Sequence, residues 1–299
     1  MKRFIGLLAL SSIILSACNT ETDQNFDVGG TPTAPVFESQ VWDQEETDYG
    51  VRLTTQIENP STGNQLYTYL ELPEGIENPP LVMLIPGGTN SGTDKFIDND
   101  LSTNFLLENN IAVAYFDLDG RGKSDGDENQ NGSDAQDGLY AITQVIEESG
   151  YIDTEEMGLM SLSYGLVLGS GMLANYAETQ PYEWYIDWEG PSSPAYTPRQ
   201  CDGADCDDEE YWLERDASTS LSEILVPYWR FQAKKDHVQS ENSHAILAIN
   251  AATNGSSPWT QINYEDPNQT FSEENPPEYI AKRSQEAAIK AVLEFFEMY

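Results

Sequence analysis

Met157-Gly158-Leu159-Met160-Ser161-Leu162-Ser163-Tyr164-Gly165-Leu166-Val167-Leu168-Gly169-Ser170-Gly171 is the stretch whose reading decides the fold. Met157 to Leu162 is a short apolar run of the kind that forms a strand buried on both faces. A helical pattern over Tyr164 to Ala177 follows at once and contains Gly169 and Gly171. Between them, Ser161-Leu162-Ser163-Tyr164-Gly165 has small flanks. The chain can therefore turn sharply from strand to helix and present the Ser163 hydroxyl at the corner. The Tyr164 N–H then lies at a helix N-terminus, the end of a helix that favours negative charge.

The same rhythm extends in both directions. Leu81 to Ile85, Ile111 to Phe116, Trp184 to Trp188, Ile224 to Phe231 and Trp259 to Tyr264 read as further buried strands. Asp134 to Glu148, Ser243 to Ala252 and Pro277 to Met298 read as helices. Strands alternating with helices imply right-handed crossovers and an α/β fold with a mostly parallel sheet covered on both faces. Val51 to Ile57 and Leu66 to Leu72 alternate apolar and polar residues around Asn59-Pro60-Ser61-Thr62-Gly63, which predicts a hairpin with one solvated face. No internal repeat is visible. Gly190 to Glu223 breaks the rhythm; it is long, acidic and predicted to be a short inserted cap over the carboxyl edge of the sheet.

Pro86-Gly87-Gly88 closes one strand, and Asp117-Leu118-Asp119-Gly120-Arg121-Gly122-Lys123-Ser124 closes the next. With Ser161-Leu162-Ser163-Tyr164-Gly165, these segments resemble the α/β-hydrolase superfamily. The early hairpin and the acid-rich helix start at Asp134 are similar to its dienelactone-hydrolase-like and prolyl-oligopeptidase-like branches. The resemblance covers Val51 to the C-terminus. It implies a serine hydrolase of ester-type substrates with Ser163 as nucleophile and no cofactor. It also implies backbone oxyanion donors near Gly88 and Tyr164, and a triad in the order serine, acid, histidine. Asp236, after the strand Ile224 to Phe231, stands where the family carries its aspartate.

The histidine departs from that pattern. The family places it after the last strand, here Tyr264 to Phe271, where the sequence has Asn268 and Gln269. An amide can hydrogen-bond a serine but cannot take its proton, and a serine hydroxyl without a base is a poor nucleophile. The chain holds only two histidines, His237 and His244. One reading takes His237 as the base, oriented by Asp236 or by a carboxylate after the preceding strand, Asp187 or Glu189. A second takes His244. In a third there is no base, and the protein is a hydrolase-fold binding protein without turnover. Trp184, Trp188, Trp212, Trp229 and Tyr196 are candidate walls of an acyl or aryl pocket, with core packing as the alternative for each.

The first residues read as an address. Lys2 and Arg3 precede an apolar stretch, Phe4 to Leu15, too short for a stable membrane span. Leu15-Ser16-Ala17-Cys18 resembles a bacterial lipoprotein lipobox. It implies a signal peptide over 1–17, lipidation of Cys18, a polar tether over 18–36 and a hydrolase domain over 37–299. The predicted location is the bacterial cell envelope, at the outer membrane, with the lipid anchor as the only membrane contact. Cys201 and Cys206 are predicted to form a disulfide in an oxidising compartment.

The whole chain carries 51 acids and 14 bases, a formal net charge of −37. That balance excludes nucleic acid as a partner, since its binders need a basic surface; the expected partner is a small acyl substrate. A salt-adapted surface explains such acidity. Asp125 to Asp134 offers the alternative of a structural Ca²⁺ site: oxygen side chains alternate and a glycine stands sixth from Asp127. Gly138 occupies the place of the bidentate glutamate, so a solvated loop capping the next helix is the competing reading. The acids of Asp202 to Glu210 form a second, weaker cluster.

Overall fold

The computed structural model describes residues 40–97, 100–196 and 208–298. The described residues all fall within one compact unit, Glu38–Tyr299. The predicted signal peptide, Cys18 with its lipobox, Cys201, Cys206 and the Asp202, Asp205 and Asp207 carboxylates all lie outside the described residues. No helix among the described residues is long and apolar enough to cross a membrane.

Nine strands form one sheet in the order β1-β2-β3-β5-β4-β6-β7-β8-β9. They are β1 Asp43–Thr47, β2 Gly50–Glu58, β3 Gln65–Pro73, β4 Leu81–Ile85, β5 Ala112–Phe116, β6 Met157–Leu162, β7 Trp184–Trp188, β8 Tyr228–Phe231 and β9 Thr260–Ile262. The first three pair antiparallel, and β3 joins β5 antiparallel. From β5 through β9 every pairing is parallel. The helices are α1 Gly92–Phe96, α2 Phe105–Glu108, α3 Ser133–Glu147, α4 Gly165–Asn175, α5 Glu209–Leu213, α6 Ala217–Leu221, α7 Ser243–Asn254 and α8 Ser284–Met298.

The period-2 alternation of the strands builds two cores, one on each face of the sheet. Leu81, Met83, Ile85, Leu159 and Tyr185 point to one face, under α3, α4, α6 and α7. Val82, Leu84, Met160, Leu162, Trp184 and Ile186 point to the other, under α8. Leu139, Ile142, Val145 and Ile146 supply the apolar stripe of α3, and Ile289, Val292 and Phe295 that of α8.

Two expected elements are shorter than their apolar runs. β8 begins at Tyr228 because Ile224 and Val226 are core residues ahead of the strand. α8 begins at Ser284, since Arg283 has a φ of 62°, which no helix accommodates. Of the segment expected as a cap, the described part carries a short 3₁₀ turn at Pro194–Tyr196, then α5 and α6. Ala217 and Leu221 of α6 are buried in the core beside α4 and α7.

Candidate active site

β6 delivers Ser163 to the carboxyl edge of the sheet. Its φ of 52° is left-handed, a conformation that costs a non-glycine residue free energy and aims the side chain out of the corner. The neighbouring glycines make the corner possible. A Cβ on Gly165 would stand 2.9 Å from the Pro86 carbonyl oxygen, and one on Gly87 would stand 2.9 Å from Ser163 Cβ. The loop after β4 therefore touches the turn itself. The Ser163 N–H donates to the Trp188 carbonyl at 2.8 Å, which ties the turn to the end of β7. Ser161, the first small flank, is buried; its hydroxyl pairs with Tyr185 Oη at 2.7 Å.

His237 comes from the loop after β8, and its Nε2 lies 2.9 Å from Ser163 Oγ. Its Nδ1 lies 2.8 Å from Glu189 Oε2, and its backbone N–H donates to the same oxygen at 3.1 Å. A carboxylate only accepts, so Nδ1 carries the proton and Nε2 keeps its lone pair for Ser163. Glu189 follows β7 directly, at a φ of 51°. Its side chain is 1% exposed. Its other oxygen accepts from the Ala233 N–H at 2.9 Å and from Ser284 Oγ at 2.8 Å. Every oxygen lone-pair direction of this buried carboxylate has a use, as burial requires.

Asp236 does not orient His237. Its Oδ1 is 3.6 Å from Nδ1 and is taken by the Val238 and Gln239 N–H groups at 2.7 Å each. Its Oδ2 faces Gln232 Nε2 at 2.8 Å and His244 Nε2 at 3.2 Å. The sequence expectation for the acid is thus corrected to Glu189, one strand earlier; Asp236 instead ties down the loop that carries His237. Burial pushes the Asp236 carboxyl up, but the His244 ring beside it and hydrogen bonds from Gln232, Gln239 and Val238 outweigh that and hold it well below the usual carboxylate range. Asp187 also turns inward. It pairs with the buried Arg230 and accepts from Tyr228 Oη at 3.2 Å. Burial raises its carboxyl, and Arg230 opposes that rise.

His244 is fully buried, its Nδ1 3.1 Å from the Gly190 carbonyl, so it is no base for Ser163. Asn268, in the segment where the family carries its histidine, hydrogen-bonds back to Thr260 at the start of β9, through its backbone N–H at 2.7 Å and its Oδ1 at 2.8 Å. The ring reaches Ser163 from β8 instead.

Trp188, one of the expected pocket tryptophans, contacts these residues directly. Its indole stacks on His237 with ring centroids 4.6 Å apart and an interplanar angle of 21°. Trp184 and Trp229 are core residues against Phe295 of α8. Gly88 has a φ of 61° and ends the loop that contacts the Ser163 turn, and Tyr164 caps α4. The first N–H groups of a helix have no carbonyl four residues back, so the Tyr164 N–H is available to an oxyanion.

The Asp125 to Asp134 loop is held by arginines. Arg121 grips Glu128, with Nε 2.5 Å from Oε2, and reaches Asn131 Oδ1 at 2.6 Å. Arg215 donates to the Asn129 and Gln130 carbonyls at 2.6 and 3.2 Å. Of the alternating oxygens, Asn131 Oδ1 is thereby occupied by Arg121, and the Glu128 carboxylate beside it is paired with the same guanidinium. Asn131 Nδ2 then donates to the Tyr164 carbonyl at 2.9 Å, so the loop buttresses the Ser163 turn.

No protein-family model matches the chain, and no curated protein matches it. Solved structures do. Est1E from Butyrivibrio proteoclasticus, with bound ferulic acid, superposes with a TM-score of 0.59 at 15% identity, over 82% of this chain and 98% of that one. Acetyl xylan esterase 1 from Thermoanaerobacterium sp. gives 0.59 at 14%, over 86% and 88%. Dipeptidyl peptidase 4 from Porphyromonas gingivalis gives 0.63 at 15%, over 83% of this chain and 36% of that chain. With the sheet order and the crossovers above, these likenesses define an α/β-hydrolase fold.

Proposed function

We propose that this chain is a serine hydrolase of ester-type acyl substrates, with Ser163 as nucleophile, His237 as base and Glu189 as the acid that orients it. The observation that carries the reading is the continuous line Ser163 Oγ, His237 Nε2 at 2.9 Å, and His237 Nδ1 to Glu189 Oε2 at 2.8 Å. Triads are recognised by such geometry and roles. Esterases among the solved structures of the same fold support the ester-type substrate.

In the first half-reaction Ser163 Oγ attacks the ester carbonyl carbon while its proton passes to His237 Nε2. Negative charge collects on the former carbonyl oxygen, and the Gly88 and Tyr164 N–H groups stabilise it. Glu189 stabilises the imidazolium. The tetrahedral species then collapses, the alcohol oxygen leaves with the proton from Nε2, and an acyl ester remains on Ser163. A water gives its proton to Nε2 and repeats the sequence, releasing the acid and restoring Ser163.

The test is hydrolysis of short-chain nitrophenyl esters together with fluorophosphonate labelling. The reading expects both, and expects both to vanish in Ser163→Ala. An unlabelled, inactive wild-type chain overturns it. We place the protein in the bacterial cell envelope, anchored through a lipidated Cys18 with a Cys201–Cys206 disulfide; the lipobox-like Leu15-Ser16-Ala17-Cys18 supports the anchor, and the oxidising compartment that an exported chain meets supports the disulfide.

A further inference from the structure

The carboxylate that orients His237 is itself held by a residue far along the chain. Glu189 receives four hydrogen bonds among the described residues. Two come from backbone N–H groups of Ala233 and His237, one from the working ring, and one from Ser284 Oγ at 2.8 Å. Ser284 is the first residue of α8 and is 6% exposed. Its hydroxyl is not free to rotate. Its oxygen accepts the Trp188 indole N–H at 2.9 Å, so its own proton is directed to Glu189. The Trp188 ring stacks on His237, 4.6 Å between centroids.

We infer that Ser284 and Trp188 are positioning residues for the Ser163–His237–Glu189 set, forming a closed circuit that fixes both the Glu189 carboxylate and the plane of the His237 ring. The circuit runs from Trp188 to Ser284, Glu189 and His237, and back to Trp188 by stacking. Each member restrains the next, and the anchor is rigid. α8 is fastened to the sheet by Ile289, Val292 and Phe295, and Trp184 lies flat on Phe295 at 5.0 Å. The C-terminal helix therefore contributes to the site without its side chains reaching Ser163. The inference rests on the catalytic reading above, and its test separates the two.

The test uses Ser284→Ala, Ser284→Thr and Trp188→Phe in the full chain. Two readouts are taken: kcat and KM on a nitrophenyl ester, and the downfield proton signal of the His237 Nδ1–H. With only two histidines in the chain, His237→Ala assigns that signal. Ser284→Ala is expected to lower kcat about tenfold, the worth of one hydrogen bond of this kind, with KM within about twofold. It is also expected to broaden the Nδ1–H signal by solvent exchange. Ser284→Thr keeps the hydroxyl and both wild-type readings. Trp188→Phe keeps a ring over His237 but loses the indole N–H, and shows a smaller loss of the same kind. If Ser284→Ala does not fold, Trp188→Phe decides by the same readings. A sharp Nδ1–H signal and unchanged kcat in the variant overturn the inference. A wild-type chain without esterase activity overturns the catalytic reading alone, because the proton signal still reports whether Ser284 holds Glu189.

Discussion

Glu189 Oε2 and His237 Nδ1 meet at 2.8 Å, across the ends of two adjacent parallel strands, while Asp236, the next residue to that histidine, stands at 3.6 Å. Two carboxylates thus flank one ring, and only one is positioned to hold its proton. Glu189→Gln removes the charge that stabilises the imidazolium and allows the amide to present a donor, which selects the wrong tautomer. The expected loss in kcat is about 10³- to 10⁴-fold, by analogy with the serine-protease acid. Asp236→Asn is expected to cost about tenfold or less, through the loop it ties down. Steady-state kinetics of the two variants side by side checks this; equal losses would contradict the assignment.

Asp236 has a different measurable role. Its folded carboxyl is held below the usual range, so the native state binds its proton more weakly than the unfolded chain does. Its contribution to stability is complete above the unfolded carboxyl pKa of about 4, and it is lost as pH falls through the lower folded value. The stability gap between wild type and Asp236→Asn should therefore narrow steadily below about pH 4, in denaturant titrations at constant ionic strength. A gap that widens on acidification would reverse the sign.

Much of the architecture was readable from the chain because β4 to β7 are short, mostly apolar runs set between polar or turn-forming segments. Their bounds match the sequence expectation to within a residue. The Ser163 corner was legible because its chemistry demands small flanks. The sequence offers Asp236, Asp187 and Glu189 as carboxylates for His237, with Asp236 at the family's triad position, and it cannot choose among them for a physical reason. Glu189 sits in Trp188-Glu189-Gly190-Pro191, which also reads as a pocket wall, and its burial depends on donors from Ala233, His237 and Ser284, remote in sequence. Glu189 is among the candidates because it follows the strand that precedes the one carrying His237. Ser284 had no local signature, since its role exists only when α8 lies across β7. β1 was missed because Asp43 to Thr47 is an exposed, charged edge strand without an apolar pattern.

Gly87→Ala tests the contact between the loop after β4 and the Ser163 turn. A Cβ there would stand 2.8 Å from the Leu162 carbonyl oxygen and 2.9 Å from Ser163 Cβ. Neither group can yield without moving the strand, so the loop must retreat and take the Gly88 N–H with it. A displacement of about 1 Å at an active site costs on the order of 100-fold. The expected outcome is a kcat loss of that order with an almost unchanged unfolding midpoint. Full activity in the variant would show that the loop supplies no donor to the oxyanion.

The −37 charge gives a last prediction. If the acidic loop before α3 were a Ca²⁺ site, its oxygens would be open to the ion. Instead Arg215, its side chain 3% exposed, fills the loop with donors to Asn129 and Gln130 and lies over the Tyr211 ring at 3.7 Å. Arg215→Ala leaves those carbonyls unpaired and should cost about 3 kcal/mol of unfolding free energy. Because Asn131 of the same loop holds the Tyr164 carbonyl, kcat should fall as well. Millimolar Ca²⁺ should leave the wild-type unfolding midpoint where NaCl of equal ionic strength leaves it, since arginine donors already hold this loop and salt then acts by screening. A rise specific to Ca²⁺ would mean that the cation displaces an arginine from the loop, and Arg215→Ala would then bind it more tightly.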